Sequence, residues 1–439
     1  MPFNRKDKYD MKYIISTLGC KVNQYETQAI ETMLAERGHC AAAEGEQADA
    51  IIINTCAVTA ESGRKSRQTV RHLSARHPEA ATVVCGCWSQ LSPDAAADIG
   101  CDVVFGTGDK HALIDAIEAA VLEKQSARCI DDPFRRMYFE ELPAGAVSGR
   151  TRAMLKIEDG CVNFCTYCII PYTRGRVRSL PIPEVKKQAA QLEAEGYREL
   201  VVTGIEIASY GKDLGKDITL ADCIEAIAEA APHVRLRLGS LEPTVITDDF
   251  ARRIAATGKV CPHFHLSLQS GCDKTLKNMN RKYDTARFYE GVEYLRKYFP
   301  GCAFTADLIT GFPGEDLDDQ KATLEFIAKC GFADMHIFPY SVRPGTKAEK
   351  MPGQVVKAEK RRRAHEAQQV ADCMKQEYLE ACVGCEMDVL FETEQPDGSW
   401  NGHAGNYCVV NAKGEGLKNA LCRVRITAVD GDKLMGEVV

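Results

Sequence analysis

Two runs of alternating strand and helix signals dominate this chain and leave little choice of fold. In the first, KYIISTLG (12–19), ADAIIINTC (48–56), ATVVCGC (81–87) and DVVFGT (102–107) read as strands, each followed by helical sequence. Short β-branched runs separated by helices predict an open, mostly parallel α/β sheet with helices on both faces. The second run has six strands: RAMLKIED (152–159), ELVVTGIE (199–206), VRLRLGSLE (234–242), HFHLSLQ (263–269), AFTADLITGF (303–312) and DMHIFPYS (334–341). Six such units predict a partial parallel barrel, (β/α)6, since a full eight-stranded barrel takes roughly 250 residues. After Cys382, short strands punctuated by Gly, Asp-Gly and Asn predict a small five-stranded β-barrel. The expected layout is an α/β domain over 11–124, a linker over 125–149 where periodicity lapses, a barrel domain over 150–380 and a β-domain over 381–439.

The chain carries 20 cysteines. Its first ten residues, MPFNRKDKYD, hold no apolar export segment, and no run approaches the roughly 18 apolar residues of a spanning helix. A cytoplasmic setting without membrane contact is expected, where metal or redox chemistry explains thiols better than disulfides do. Cys161-Val-Asn-Phe-Cys165-Thr-Tyr-Cys168 follows the first barrel strand directly, which puts it on the face where barrel active sites assemble. Three thiolates at this spacing can wrap three irons of a [4Fe–4S] cluster and leave the fourth open. A zinc site would want a fourth regularly spaced ligand, and none is near. An open iron can chelate the amino and carboxylate groups of S-adenosylmethionine, a cofactor whose chemistry the protein orients.

Cys20, Cys56 and Cys87 each end one of the first three strands. Ends of neighbouring parallel strands meet in space, so these three can form a second thiolate pocket. The alternative is three buried core thiols. Cys85 competes with Cys87 but stands two positions short of the strand end. Cys382-Val-Gly-Cys385 has zinc-like spacing without a second ligand pair, which favours incidental thiols.

Together the two cysteine sets and the C-terminal β-domain resemble the methylthiotransferase family of radical S-adenosylmethionine enzymes over nearly the whole chain. The resemblance implies two [4Fe–4S] clusters, one generating a deoxyadenosyl radical at Cys161, Cys165 and Cys168 and an auxiliary one at Cys20, Cys56 and Cys87 that takes part in sulfur insertion. It implies S-adenosylmethionine as cofactor, an electron donor of flavodoxin or ferredoxin type, a sulfur source, and a TRAM domain at the C-terminus. LGCKVNQYET, YCIIPYTRGRVRS, HFHLSLQSGCDKTLKNMNRKY and MHIFPYSVRPGT look most like the branch acting on N6-threonylcarbamoyladenosine at position 37 of tRNA, in the anticodon stem-loop. The branch acting on isopentenyladenosine opens on a Gly-Cys-Gln-Met-Asn pattern, where this chain has Gly19-Cys20-Lys21-Val22-Asn23. The branch acting on a ribosomal-protein aspartate has prolines where this chain has Lys21 and Val162. Both branches stand as alternatives, as does a non-catalytic iron–sulfur RNA-binding or sensor protein.

Further residues at barrel strand ends are candidates for the cofactor. Gly204 permits close backbone approach and Glu206 can accept an ammonium hydrogen bond. Ser240, Glu242, Gln269 and Arg343 lie at later strand ends. The net charge of −7 excludes a uniformly basic nucleic-acid binder and argues against DNA, but basic residues cluster locally. Arg64, Lys65, Arg67, Arg71 and Arg76 follow Cys56; Arg174, Arg176 and Arg178 follow the cysteine loop; Lys357, Lys360, Arg361, Arg362 and Arg363 precede the β-domain. The first two groups flank predicted cluster ligands, so phosphate positioning is expected there. The β-domain itself has five Lys/Arg against nine Asp/Glu, a net of −4. RNA contact there would depend on Trp400, His403, Tyr407, Arg423 and Arg425.

Overall fold

The computed structural model describes residues 10–144, 151–215 and 217–439. They form two compact units, one of 10–144 with 158–162 and 168–180, the other of 151–157, 163–167 and 181–439.

The first unit is built on a six-stranded sheet of β1 (Lys12–Thr17), β2 (Cys40–Ala41), β3 (Ala50–Thr55), β4 (Ala81–Gly86), β5 (Val103–Phe105) and β6 (Ala127–Cys129). The spatial order is β2-β1-β3-β4-β5-β6, and every pairing is parallel. β3 and β4 are buried along their whole length, which is why they read as unbroken β-branched and small apolar runs. Ile51, Ile53, Val70, Val84, Trp88 and Ile169 share one core. Helix α1 (Lys21–Glu36) follows β1, and α2 (Ala60–Arg76) follows β3 from a capping box between Thr59 and Ser62. β4 runs directly into the short helix α3 (Cys87–Leu91).

Two edge strands add to the four expected. β6 lies inside the stretch read as linker and pairs with β5. Its residues are half-buried or exposed, so no apolar alternation announces it. Residues 145–150, which hold the end of that linker and the start of the barrel domain, lie outside the described residues.

In the second unit β7 (Arg152–Lys156), β8 (Glu199–Thr203) and β9 (Arg235–Leu238) pair with β8 in the middle, and β10 (His263–Gln269), β11 (Ala303–Thr310) and β12 (Asp334–Pro339) pair with β11 in the middle. Parallel bridges Leu236–Val260 and Leu241–Leu266 join the two sets into the expected six-stranded partial barrel. The helix Lys357–Ala381 leads to strands β13 (Glu386–Glu394), β14 (Trp400–Ala404), β15 (Val409–Lys413), β16 (Leu421–Asp430) and β17 (Lys433–Val438). These close a five-stranded barrel in the order β13-β14-β15-β17-β16 around Val389, Phe391, Val410, Val424, Ile426 and Leu434.

A buried ionic cluster ties this small barrel to the starts of the partial barrel's strands. Glu199 accepts from Arg237 at 2.7 Å and Arg235 at 2.6 Å. Both arginines also donate across to carbonyls of the small barrel, Arg235 to Asp388 and His403, and Arg237 to Ala404 and Gly405. Arg152 reaches Glu392 at 2.8 Å.

Candidate metal centres

Strands β1, β3 and β4 are adjacent, and Cys20, Cys56 and Cys87 stand just beyond their carboxyl ends. Cys20 is the N-cap of α1, Cys56 follows β3 at once, and Cys87 opens α3. Cys56 and Cys87 are 6% and 3% exposed, while Cys20 is open to solvent. The thiols lie close enough to act on one another, Cys20 on Cys87 and Cys87 on Cys56, and burial pushes both Cys56 and Cys87 up from the usual thiol range. Gly19 explains how the first loop comes so near. It holds φ +116°, and a Cβ there would stand 3.0 Å from Cys56 Cβ and 3.1 Å from its Sγ.

Paired asparagines fix the loop. Asn23 Nδ2 donates to the carbonyls of Leu18 and Thr55, each at 3.0 Å, and Asn54 Nδ2 donates back to the Asn23 carbonyl at 3.0 Å. Asn23 Oδ1 accepts from the Cys20 thiol at 3.5 Å and from Arg174 Nη2 at 3.2 Å. Arg174 is completely buried, paired with Glu26 through both its terminal nitrogens and with Asp159 at 3.4 Å. Cys85 sits inside β4, fully buried, its thiol pushed up by burial to about 12.

The loop 161–168 is shared: Cys161 and Cys168 belong to the first unit and Cys165 to the second. All three are half-buried. In the first unit, the Cys161 N–H donates to the Gly175 carbonyl at 3.0 Å. Gly160, at φ +92°, makes that approach possible, since a Cβ there would lie 1.9 Å from the Arg176 carbonyl oxygen. In the second unit, residues 278–283 cradle the loop's middle. The Thr166 N–H donates to the Met279 carbonyl, and Asn280 Nδ2 donates to the carbonyls of Asn163 and Phe164. Arg281 Nη1 donates to Cys165 Sγ at 3.2 Å. The same guanidinium bonds Tyr283 and the Ser267 carbonyl and lies 3.8 Å from Glu242.

Glu206 and Glu242 share this neighbourhood. Burial and then the Glu242 charge push the Glu206 carboxyl up to about 7, against the pull of Arg281. Asn163 Nδ2 reaches Glu206 at 3.5 Å. Gly204 is half-buried and Ser240 exposed. Gln269 has φ +67° where the β10–β11 register slips, and Arg343 lies half-buried beyond β12. Sequence reasoning passed over Arg281 and Asn163, although both lie in or beside segments that carry the resemblance.

Several basic and aromatic residues read as RNA contacts are placed otherwise. Arg174 and Arg178 are 0% and 3% exposed; Arg178 donates to the carbonyls of Arg174 and Arg176 and lies 3.6 Å from Asp159. Both are interior ion-pair partners, unavailable to a phosphate. Lys360 and Arg363 are likewise buried, Arg363 against Glu315. Tyr407, though exposed, has His263 stacked at 4.8 Å, His403 at 5.0 Å and Arg237 over its ring at 4.7 Å, so a base would have to compete with these neighbours for its ring. Trp400 packs on the small barrel's core. Arg64, Lys65, Arg71, Arg76, Arg176, Arg361 and Arg362 remain exposed, and Arg67 is half-buried.

The thiols suit iron–sulfur clusters. All 20 are free. Among the described residues, the three-ligand group with atoms all within 4.8 Å of one another is Asp109, His111 and Glu140, not the N-terminal trio. A single tetrahedral zinc would draw its sulfurs to roughly 3.8 Å apart. A cluster takes each thiolate on a different iron.

Residues 155–327 match the Radical SAM superfamily, and residues 12–106 match a model described as Uncharacterized protein family UPF0004. The Threonylcarbamoyladenosine tRNA methylthiotransferase MtaB of Bacillus subtilis is 37% identical over 93% of this chain and 92% of its own. The protein of that name from Thermotoga maritima is 36% identical over 90% and 89%. A tRNA-2-methylthio-N(6)-dimethylallyladenosine synthase of Pelotomaculum thermopropionicum is 33% identical over 95% of each chain. Among solved structures, the radical S-adenosylmethionine methyltransferase TsrM of Kitasatospora setae superposes with a TM-score of 0.57 over 90% of this chain and 81% of its own. At 15% identity that likeness speaks for the fold alone.

Proposed function

Because this chain belongs to the methylthiotransferase family of radical S-adenosylmethionine enzymes, we propose that it converts N6-threonylcarbamoyladenosine at position 37 of tRNA to its 2-methylthio derivative. The observation that carries the choice of nucleoside is the identity to relatives named for it, 37, 36, 36 and 32%, against 33, 33, 31 and 33% for relatives named for dimethylallyladenosine. Lys21 and Val22 after Cys20 agree with it.

In this reading Cys161, Cys165 and Cys168 hold the radical-generating cluster, and Cys20, Cys56 and Cys87 hold the auxiliary one. The bound clusters and S-adenosylmethionine supply the electron, the hydrogen-abstracting radical, the sulfur and the methyl group. The protein's part is placement. Arg281 fixes the Cys165 thiolate and shares its charge with Glu242. Glu206, ionised above its raised pKa, accepts the cofactor's ammonium group with Gly204 leaving room beside it; Ser240, Gln269 and Arg343 line later strand ends. Exposed Arg64, Lys65, Arg176, Arg361 and Arg362 meet tRNA phosphates, and the closed C-terminal barrel serves as a TRAM-like domain. Turnover further needs an electron donor of flavodoxin or ferredoxin type and a sulfur source.

The test is anaerobic turnover of reconstituted enzyme with reductant, sulfide, S-adenosylmethionine and tRNA carrying either nucleoside, followed by digestion and mass spectrometry. Methylthiolation of the threonylcarbamoyl nucleoside is expected. Methylthiolation of the isopentenyl nucleoside alone would overturn the substrate assignment, and absence of cofactor cleavage would favour a non-catalytic protein.

A further inference from the structure

We propose that Arg174 is the charge-setting residue of the auxiliary site, a guanidinium fixed beside Cys20 and Cys87 that holds the cluster's potential up, with Glu26 as its opposing charge. The proposal rests on the assignment of Cys20, Cys56 and Cys87 as cluster ligands.

Arg174 has no access to solvent, so its charge is neither hydrated nor screened. It is held from several sides: Glu26 on both terminal nitrogens, Asp159 at 3.4 Å from Nη1, and Asn23 Oδ1 at 3.2 Å from Nη2. That same Asn23 oxygen lies 3.5 Å from Cys20 Sγ, which places the cation one atom away from a cluster thiol. On its other flank the charge of Arg174 acts on Cys87, and Nε is buried with no hydrogen-bond partner.

Iron–sulfur potentials respond to net charge and to hydrogen bonds on the sulfurs. Reduction adds one negative charge to the cluster, and a buried cation beside it stabilises that state more than water would. The Glu26 carboxylate, hydrogen-bonded to that cation, opposes it. The arrangement therefore has a sign: removing the cation makes the cluster harder to reduce, and removing the carboxylate makes it easier.

The test uses the full chain carrying Cys161→Ala, Cys165→Ala and Cys168→Ala, so that only the auxiliary cluster is read, with iron content and potentiometric EPR as measurements. At a potential poised near the midpoint, Arg174→Gln is expected to lower the ratio of reduced to oxidised cluster at least about tenfold, about 59 mV for a one-electron couple. Glu26→Gln should raise that ratio, and Arg174→Lys should stay close to the parent. Shifts of both Gln variants in the same direction, or in neither, overturn the proposal, because a merely structural role has no reason to change sign with the charge removed. If Arg174→Gln binds no iron, Glu26→Gln decides alone: an unchanged or lowered ratio overturns the proposal. Absence of iron in the parent triple-alanine protein would instead overturn the assignment of the N-terminal trio itself.

Discussion

The half-buried Glu206 carboxyl is pushed up to about 7, by desolvation first and then by the Glu242 charge. If it accepts the ammonium of S-adenosylmethionine, affinity should tighten roughly tenfold from pH 6 to pH 8 as the carboxylate forms. Glu206→Gln should flatten that profile in equilibrium binding. Stability runs the other way. A carboxyl raised above its unfolded value contributes stability that is fully present below about 4.5 and is lost as pH rises through about 7. Opposite trends in affinity and in melting temperature would identify one group as the source of both. At the same scale, Cys161→Ala, Cys165→Ala and Cys168→Ala together should abolish cleavage of S-adenosylmethionine while leaving the absorbance of one cluster. Complete bleaching would contradict two separate thiolate pockets.

Among the elements, the junction of the partial barrel with the five-stranded barrel depends on one acid. Burial alone would push the Glu199 carboxyl up, but Arg237, Arg235 and Arg152 draw it down to about 2. Glu199→Ala would leave these arginines without their shared counter-charge, and a loss of about 3–5 kcal/mol is expected in chemical denaturation. A depressed carboxyl contributes stability present above about 4.5 and lost as pH falls through about 2, so the contribution of Glu199 to this junction should be constant between pH 5 and 8 and lost only in acid. The strands were legible because parallel strands buried on both faces must be apolar throughout, as in AIII of β3. β6 was not, because a three-residue edge strand with exposed side chains has no pattern to show. The cysteines were legible from their places at strand ends. The roles of Arg174 and Tyr407 were not. RGRVR looks like a solvated basic patch until Glu26, 148 residues away, is seen to take Arg174 into the interior. Tyr407 resembles a base-stacking platform until His263, from the other barrel, is found on its ring.

The whole molecule is acidic, with a net charge of −7, and its C-terminal barrel is more acidic in proportion. Affinity for tRNA must then come from exposed local clusters such as Arg64, Lys65 and Arg71 on α2. Reversing these three to Glu should weaken tRNA binding at least tenfold and flatten its dependence on salt, with cofactor cleavage in the absence of tRNA unchanged. The central claim concerns the nucleoside, and mass spectrometry of tRNA from a strain lacking this gene, and carrying no second methylthiotransferase of the same branch, tests it most directly. The account predicts loss of 2-methylthio-N6-threonylcarbamoyladenosine, accumulation of its unthiolated precursor, and recovery with the wild-type gene but not with Cys56→Ala. An unchanged level of 2-methylthio-N6-threonylcarbamoyladenosine in that strain would contradict it.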